Sequence, residues 1–569
     1  MNGCLKIGFF WVCQMLIRFG YSQDLGAIGK DKYPQLSGGI NVNQVLYEAW
    51  GIQDRRDPYN YFISGNLNID FYGWQIPLSF AYSDQNASFQ QPFNQYGLRP
   101  TYKNLTAHLG YRSMNFSKYS LAGHLFLGGG LEVQVNDHLK VAAMYGRLQK
   151  AVQPDTSQVY HSPAFNRMGT GAKITFGTTK DFLDLVFFKA KDDTTSLDNR
   201  FLPVEFKPEE NLVLSLGFGI NLIKGLNIKG EVAGSALTTD IRSEETSSAS
   251  FLNAVSFLIP QKTSSSFYKA LNGTVQYQFQ SYSFGINYER VDPGYRTLGA
   301  YYFNNDLENI TLIHQSSWLN SKLNLNVRFG QQKNNLARTE LNSMQRLSLA
   351  VSLNYQITPR LVSQINFSDF NTYVNFRPLV EVLNQSSPYD NLDTLNYHQL
   401  ARQASSNISV VLNESQELRQ NLNFNFSFQE TTDGRGEDQY NGSQFYNLNS
   451  AYLVVFGESG WALNVAGNLN YSRSYSDQFI FGPSGSLRRK FLENKLTTYF
   501  TAAYNQSKID GRTSNKIYNL RTGGAYALNS HQFSLNLTAI DRINPNKEVG
   551  SRYKELVVEI GYRYTFSTP

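Results

Sequence analysis

Through residues 60–83 apolar and polar residues alternate one for one. Ile63, Gly65, Leu67, Ile69 and Phe71 fall on one side of the period, and Ser64, Asn66, Asn68 and Asp70 on the other. After Tyr72-Gly73 the alternation resumes, with Trp74, Ile76, Leu78, Phe80 and Tyr82 set against Gln75, Pro77, Ser79, Ala81 and Ser83. A period of two gives strands with one apolar and one polar face, here folded into a hairpin. Each arm matches the roughly 9 to 11 residues that a tilted strand needs to cross a bilayer, and aromatic residues flank the turn at the height of a membrane interface.

The same unit recurs along the chain. Leu125, Leu127, Leu131 and Val133 run to Asn136-Asp137, and Leu139, Val141, Ala143 and Tyr145 return. Leu212, Leu214, Leu216, Phe218 and Ile220 run to Lys224-Gly225, and a later arm ends at Thr358-Pro359. A second hairpin is expected over residues 87–98 and 103–113, joined through Arg99-Pro100. Polar connections near residues 150–165, 193–209, 239–264, 294–306, 373–400 and 431–441 alternate with the short turns. Short turns at one end and long loops at the other are the asymmetry of outer-membrane barrels, with the short turns in the periplasm. The expectation is an all-β chain, a large transmembrane antiparallel up-and-down β-barrel of about 26 strands, give or take two to four. A two-sheet sandwich fits less well, because it needs polar outer faces and these strands set aromatic-rich faces opposite Asn, Ser and Gln faces.

Composition removes other classes. Mean hydropathy is negative, and no apolar run reaches the length of about 18 residues that a membrane helix needs. Residues 7–17, after Lys6 and before Gly20-Tyr21-Ser22, read as the apolar part and cleavage site of a Sec-type signal peptide over 1–22. A periplasmic lead-in over 23–35 and a barrel over 36–569 follow. Both cysteines, Cys4 and Cys13, lie in the signal, so the mature chain is expected to carry no thiol, disulfide or cysteine metal site. Loss of Lys6 and Arg18 lowers the formal charge from +6 to +4, and no Lys/Arg block suggests nucleic acid as a partner. No nucleophile elbow, zinc-binding His pair or phosphate loop is present, so neither an enzyme nor a cofactor is expected. Gly128-Gly129-Gly130 sits inside a strand pattern, where a bulge or close approach explains glycine better than phosphate binding does.

If the apolar set faces lipid, alternation points His108, Arg112, His124, Glu132, Lys173, Lys229, Glu231, Glu289, Arg328, Arg346, Glu559 and Arg563 into the lumen. A wet wall of both signs is the plain reading. The sharper one concerns residues 114–124, with Arg112, Lys118, Tyr119 and His124 in or beside them: the segment either folds inward as a constriction or lies over the rim. At the C-terminus Leu556, Val558, Ile560, Tyr562, Tyr564 and Phe566 alternate with polar residues, and an aromatic three places from the end looks like a recognition strand for the barrel-assembly machinery.

Tyr72-Gly73-Trp74, Gln91-Pro92-Phe93-Asn94-Gln95-Tyr96-Gly97-Leu98, His108-Leu109-Gly110-Tyr111-Arg112-Ser113-Met114 and Leu121-Ala122-Gly123-His124 together resemble a set of largely uncharacterised, porin-like outer-membrane barrels from Bacteroidota. The resemblance implies a compartment, the outer membrane with its lipid, and a fold; it carries over no ligand or catalytic residue. The start of the chain is also similar to porins whose next loop narrows the pore. The function expected first is a passive or gated channel for small polar solutes. The alternatives are the barrel of a secretion, surface-assembly or lipid-export machine acting on a partner, and a surface-interaction anchor.

Overall fold

A computed structural model describes residues 34–84, 94–154, 163–198, 206–246, 258–334, 336–337, 345–369, 402–432, 442–546 and 551–568. The signal peptide, nearly all of the lead-in and the connection 373–400 lie outside the described residues, as do parts of the other long connections. The described residues form one antiparallel sheet of twenty-seven strands, β1 to β27 in chain order, and no helix among them is long and apolar enough to cross a membrane. β1 (Gln35–Trp50) pairs on one side with β2 (Tyr59–Phe71) and on the other with β27 (Arg552–Ser567), so the sheet closes on itself. The closing seam is fully laddered from Ser37 opposite Ser567 to Trp50 opposite Lys554, and the Tyr47 hydroxyl donates to Glu555 Oε1 at 2.6 Å.

β4 (Gln95–Leu98) and β5 (Thr101–Tyr102) occupy one place between β3 (Trp74–Ser83) and β6 (Leu105–Asn115), so the barrel has 26 strand positions. This corrects the expected second hairpin. Arg99-Pro100 interrupts a single descending strand, and the turn comes later, at Lys103-Asn104, where Lys103 takes a φ of 49°. Pro100 has no N–H to give the ladder. The chain keeps its course because Arg99 N donates to Pro77 O at 3.0 Å and Ala107 N donates to Pro100 O at 2.8 Å.

Exposure sorts the two faces as alternation requires. Leu216, Val232, Phe284, Phe426, Val465 and Phe533 stay exposed in mid-strand, a belt of apolar side chains that only lipid can cover favourably. At one end every connection has two to four residues, including Tyr72-Gly73 and the turn after β11 (Glu210–Ile223). Aromatic rings ring that end: Trp74 stacks on Tyr102 at 4.9 Å, and Trp318 Nε1 donates to the Tyr282 hydroxyl at 2.9 Å. The expected short-turn and long-loop asymmetry is therefore present, and the belt marks a transmembrane barrel.

The opposite face changes character around the ring. Along β16 (Leu323–Lys333) to β18 (Leu361–Ser368) it is polar, with Asn326, Arg328, Ser352 and Asn366 around one depression. From β6 to β15 (Leu307–Trp318) it carries Met144, Val186, Phe188, Val213, Ala233 and Ala270, all buried. What buries them is not lipid, because their exposed neighbours Leu185, Leu216 and Val232 point the other way.

Candidate functional site

Among the described residues two connections fold into the barrel and cover that apolar inner wall. The first joins β6 to β7 (Ala122–Asn136); Phe116, Tyr119 and Leu121 from it are buried with Met114 and Phe126. The second joins β14 (Tyr282–Val291) to β15 and contributes Tyr295, Leu298 and Phe303 to the same cluster. Residues 294–306, expected as an outer polar loop, are thus an inward-packed segment, because Tyr295, Leu298 and Phe303 have an apolar wall to bury against. Its ends meet, with Asp306 N donating to Asp292 O at 3.4 Å, so it is a closed loop set inside the ring.

Glycine makes the room. On the inner faces of β7 and β9 (Asn166–Gly177), a Cβ at Gly130 would lie 2.5 Å from the Met114 sulfur, and one at Gly171 would lie 2.6 Å from the Phe116 ring. In the second segment, a Cβ at Gly299 would meet Phe188 and Ser120 O at 2.7 Å. The expected role of the glycine run in close approach is what is found at Gly130.

Polar groups lock the two segments to the wall and to each other. Tyr295 OH donates to Tyr119 O and Thr297 OH to Ser120 O, both at 2.8 Å, while Ala122 N donates to Gly299 O at 2.9 Å. On β11, fully buried Asn211 accepts from Leu298 N at 3.1 Å and donates to Ser235 Oγ at 2.8 Å; Ser235 in turn donates to Arg296 O at 2.7 Å. Lys173 Nζ reaches Phe116 O at 2.9 Å. Above them Arg167 clamps Asp192 through two bonds at 2.7 and 2.9 Å and Glu209 at 3.2 Å, and Glu209 also pairs with Arg296. Paired in this way, buried ions cost less than they would alone.

The sequence-derived site residues divide into groups. Lys118, Tyr119 and Glu289 come together: Glu289 Oε1 accepts the Tyr119 hydroxyl at 2.9 Å and pairs with the exposed Lys118 ammonium. Burial and the neighbouring Glu289 push the Tyr119 phenol far above its ordinary range, and burial does the same to Tyr295, so both hydroxyls remain donors. His124 stacks on Tyr301 at 4.0 Å, and its Nδ1 lies 2.7 Å from Leu125 O. His108, buried on β6, lies 3.5 Å from Glu132 Oε1. Arg112 turns to the wall at the Pro100 interruption, donating to Gly97 O at 2.9 Å, Leu98 O at 3.2 Å and Pro77 O at 3.4 Å.

The others stand apart from this cluster. Arg328 and Arg563 are exposed. Arg346 lies opposite Gln332 on β17 (Gln345–Thr358), and its side chain is outside the described residues. Glu559 shares a polar hollow of about 190 Å³ with Tyr499, Asn519, Arg521 and Asn536 on the last four strands. Among the described residues no group of three or more His, Cys, Asp or Glu could hold a metal ion. The residues missed from sequence are Asn211, Ser235 and Arg296. Their signal was a break in the rule, since β10 (Phe182–Asp193) and β11 carry apolar residues on both faces.

No family model matches the sequence, and no curated protein matches it. Solved structures are similar in fold. The P pilus usher (PapC) translocation pore is 10% identical over 94% of this chain and 99% of that one, with a TM-score of 0.38. OccAB2 of Acinetobacter baumannii is 9% identical over 93% and 98%, with a TM-score of 0.32. The FrpB iron transporter of Neisseria meningitidis is 10% identical over 96% and 83%, with a TM-score of 0.36. The likeness is one of barrel architecture.

Proposed function

We propose that the protein is an outer-membrane channel of porin type for small polar solutes, narrowed from one side by the two inward segments. One observation carries this reading. Among the described residues the segments cover the apolar wall from β6 to β15, and the wall beside it, from β16 to β18, presents Asn, Ser and Arg side chains suited to water or a polar solute. At the edge of the constriction Lys118 and Glu289 form a neutral pair, which favours uncharged solutes over either ion sign. The compartment rests on the apolar belt, the loop asymmetry and the Bacteroidota-type motifs of residues 72–124. Liposomes holding the purified, folded protein should swell in small neutral sugars and cease to swell above a size limit. No swelling in any sugar, with a protein partner copurifying, would replace the channel by a secretion or surface-assembly barrel.

A further inference from the structure

The lipid face behind the inward segments is not smooth. Gly234 and Ala236 on β12 (Leu226–Thr238) and Ala172 on β9 present almost no side chain, while Phe187, Leu216 and Phe267 stand up around them. The result is an apolar trough of about 1010 Å³. Register places the trough toward the long-loop end: Leu214 lies opposite both Phe187 and Gly234, and Gly234 lies opposite Lys269 on β13 (Ser265–Phe279). Its upper lip is built by the chain itself. Leu258 and Ile259, from the connection after β12, fold back over the outward side chains Leu212 and Ala236. Lys189 Nζ fixes that lip by donating to Leu258 O at 2.6 Å.

Cations gather at the mouth. Lys189 pairs with Glu210 at 2.9 Å and Lys191 stands 3.9 Å from the same carboxylate. Lys269 is exposed, with its ammonium over the Phe267 ring at 6.0 Å. Asp292 accepts the Lys269 backbone N–H at 2.9 Å and faces Arg290 at 3.8 Å, and Glu308 lies opposite Arg290 on β15. Lys189 and Lys191 share one carboxylate, Glu210, and Lys269 stands over Phe267, while Arg290 is matched by Asp292 and Glu308, so the excess of positive charge lies at Lys191 and Lys269, at the rim of an apolar trough open to the bilayer. On a lipid face Lys is disfavoured near the midplane and tolerated where its stem can carry the ammonium to the interface.

We infer that this trough is a lipid site: it seats an acyl chain of a negatively charged membrane lipid in the leaflet on the long-loop side, and Lys191 and Lys269 hold its headgroup. Charge complementarity selects this occupant over a neutral lipid. The trough gives the chain a fixed seat.

Native mass spectrometry of the full chain released from detergent tests the assignment, with dioleoyl phosphatidylglycerol and dioleoyl phosphatidylcholine added in equal amounts. The wild type should retain one phosphatidylglycerol, about tenfold in excess of phosphatidylcholine. Lys191→Gln with Lys269→Gln should bring the two lipids to near parity, and Ala172→Phe, which fills the trough, should lower retention of both. Heat-modifiable migration on gels confirms that each variant is folded. Equal retention of both lipids by the wild type, or retention unchanged in both variants, overturns the site. A dimer mass that Ala172→Phe disperses would also overturn it, by assigning the trough to a second copy of the chain.

Discussion

Arg112 and Asn211 look alike at the residue scale, since each satisfies backbone groups that the barrel wall cannot. Arg112 supplies donors to three carbonyls beside the Pro100 interruption, so its charge serves the wall before it serves any solute. Asn211 holds the second inward segment through Leu298 N and Ser235. Asn211→Ala should leave these buried groups short of partners at a cost of about 1 to 3 kcal/mol. The expected readout is faster tryptic cleavage after Arg296 in the folded barrel, and cleavage at the wild-type rate would mean that Asn211 does not anchor the segment. Lys118→Ala frees the Glu289 carboxylate at the constriction, so the reversal potential in a salt gradient should move toward cation preference. An unmoved potential would place the pair away from the ion path.

Single strands test the two-faced wall. Val465 and Asn464 are neighbours on β22 (Trp461–Arg473), the first exposed on the apolar belt and the second on the lumen side. Val465→Arg should cost about 2 to 4 kcal/mol and reduce the folded yield, while Asn464→Arg should fold as the wild type does. Equal harm from both, measured as heat-modifiable barrel recovered from membranes, would argue for a dry interior. Strands of this kind were legible in the sequence, because lipid outside and water inside enforce a strict period of two. The interruption at Pro100 was not, since Arg99-Pro100 has turn composition and only the pairing of Thr101 and Tyr102 with β3 shows that the strand continues. Neither was the folding of residues 294–306. A loop rich in Asn, Gly and Tyr reads as solvent-facing until the apolar inner faces of β10 and β11 are known to need a cover. Residues 114–124 read from sequence either as an inward fold or as a cover over the rim, and the choice needs the apolar inner wall on which Phe116, Tyr119 and Leu121 pack.

At the scale of the whole molecule, the ring has two unequal halves. From β6 to β15 it is thick, with lipid outside, an apolar wall, and two locked segments within; beyond β15 the described residues form one sheet around a polar space. Orientation follows from the loop asymmetry. Cysteine in place of exposed Glu244, in a long connection, should react with an impermeant maleimide on intact cells, and cysteine at Asp137, in a short turn, should not. The reverse labelling would invert the barrel. The central claim is that residues 294–304 narrow a conducting pore, and their ends lie close enough that two glycines can replace them without disturbing the ladder from Val291 opposite Leu307. Single-channel conductance in planar bilayers measures the difference directly. The account predicts discrete openings for the wild type and at least about a twofold larger conductance for the shortened variant. Identical conductances, or no openings from pure, folded wild-type protein, would contradict it.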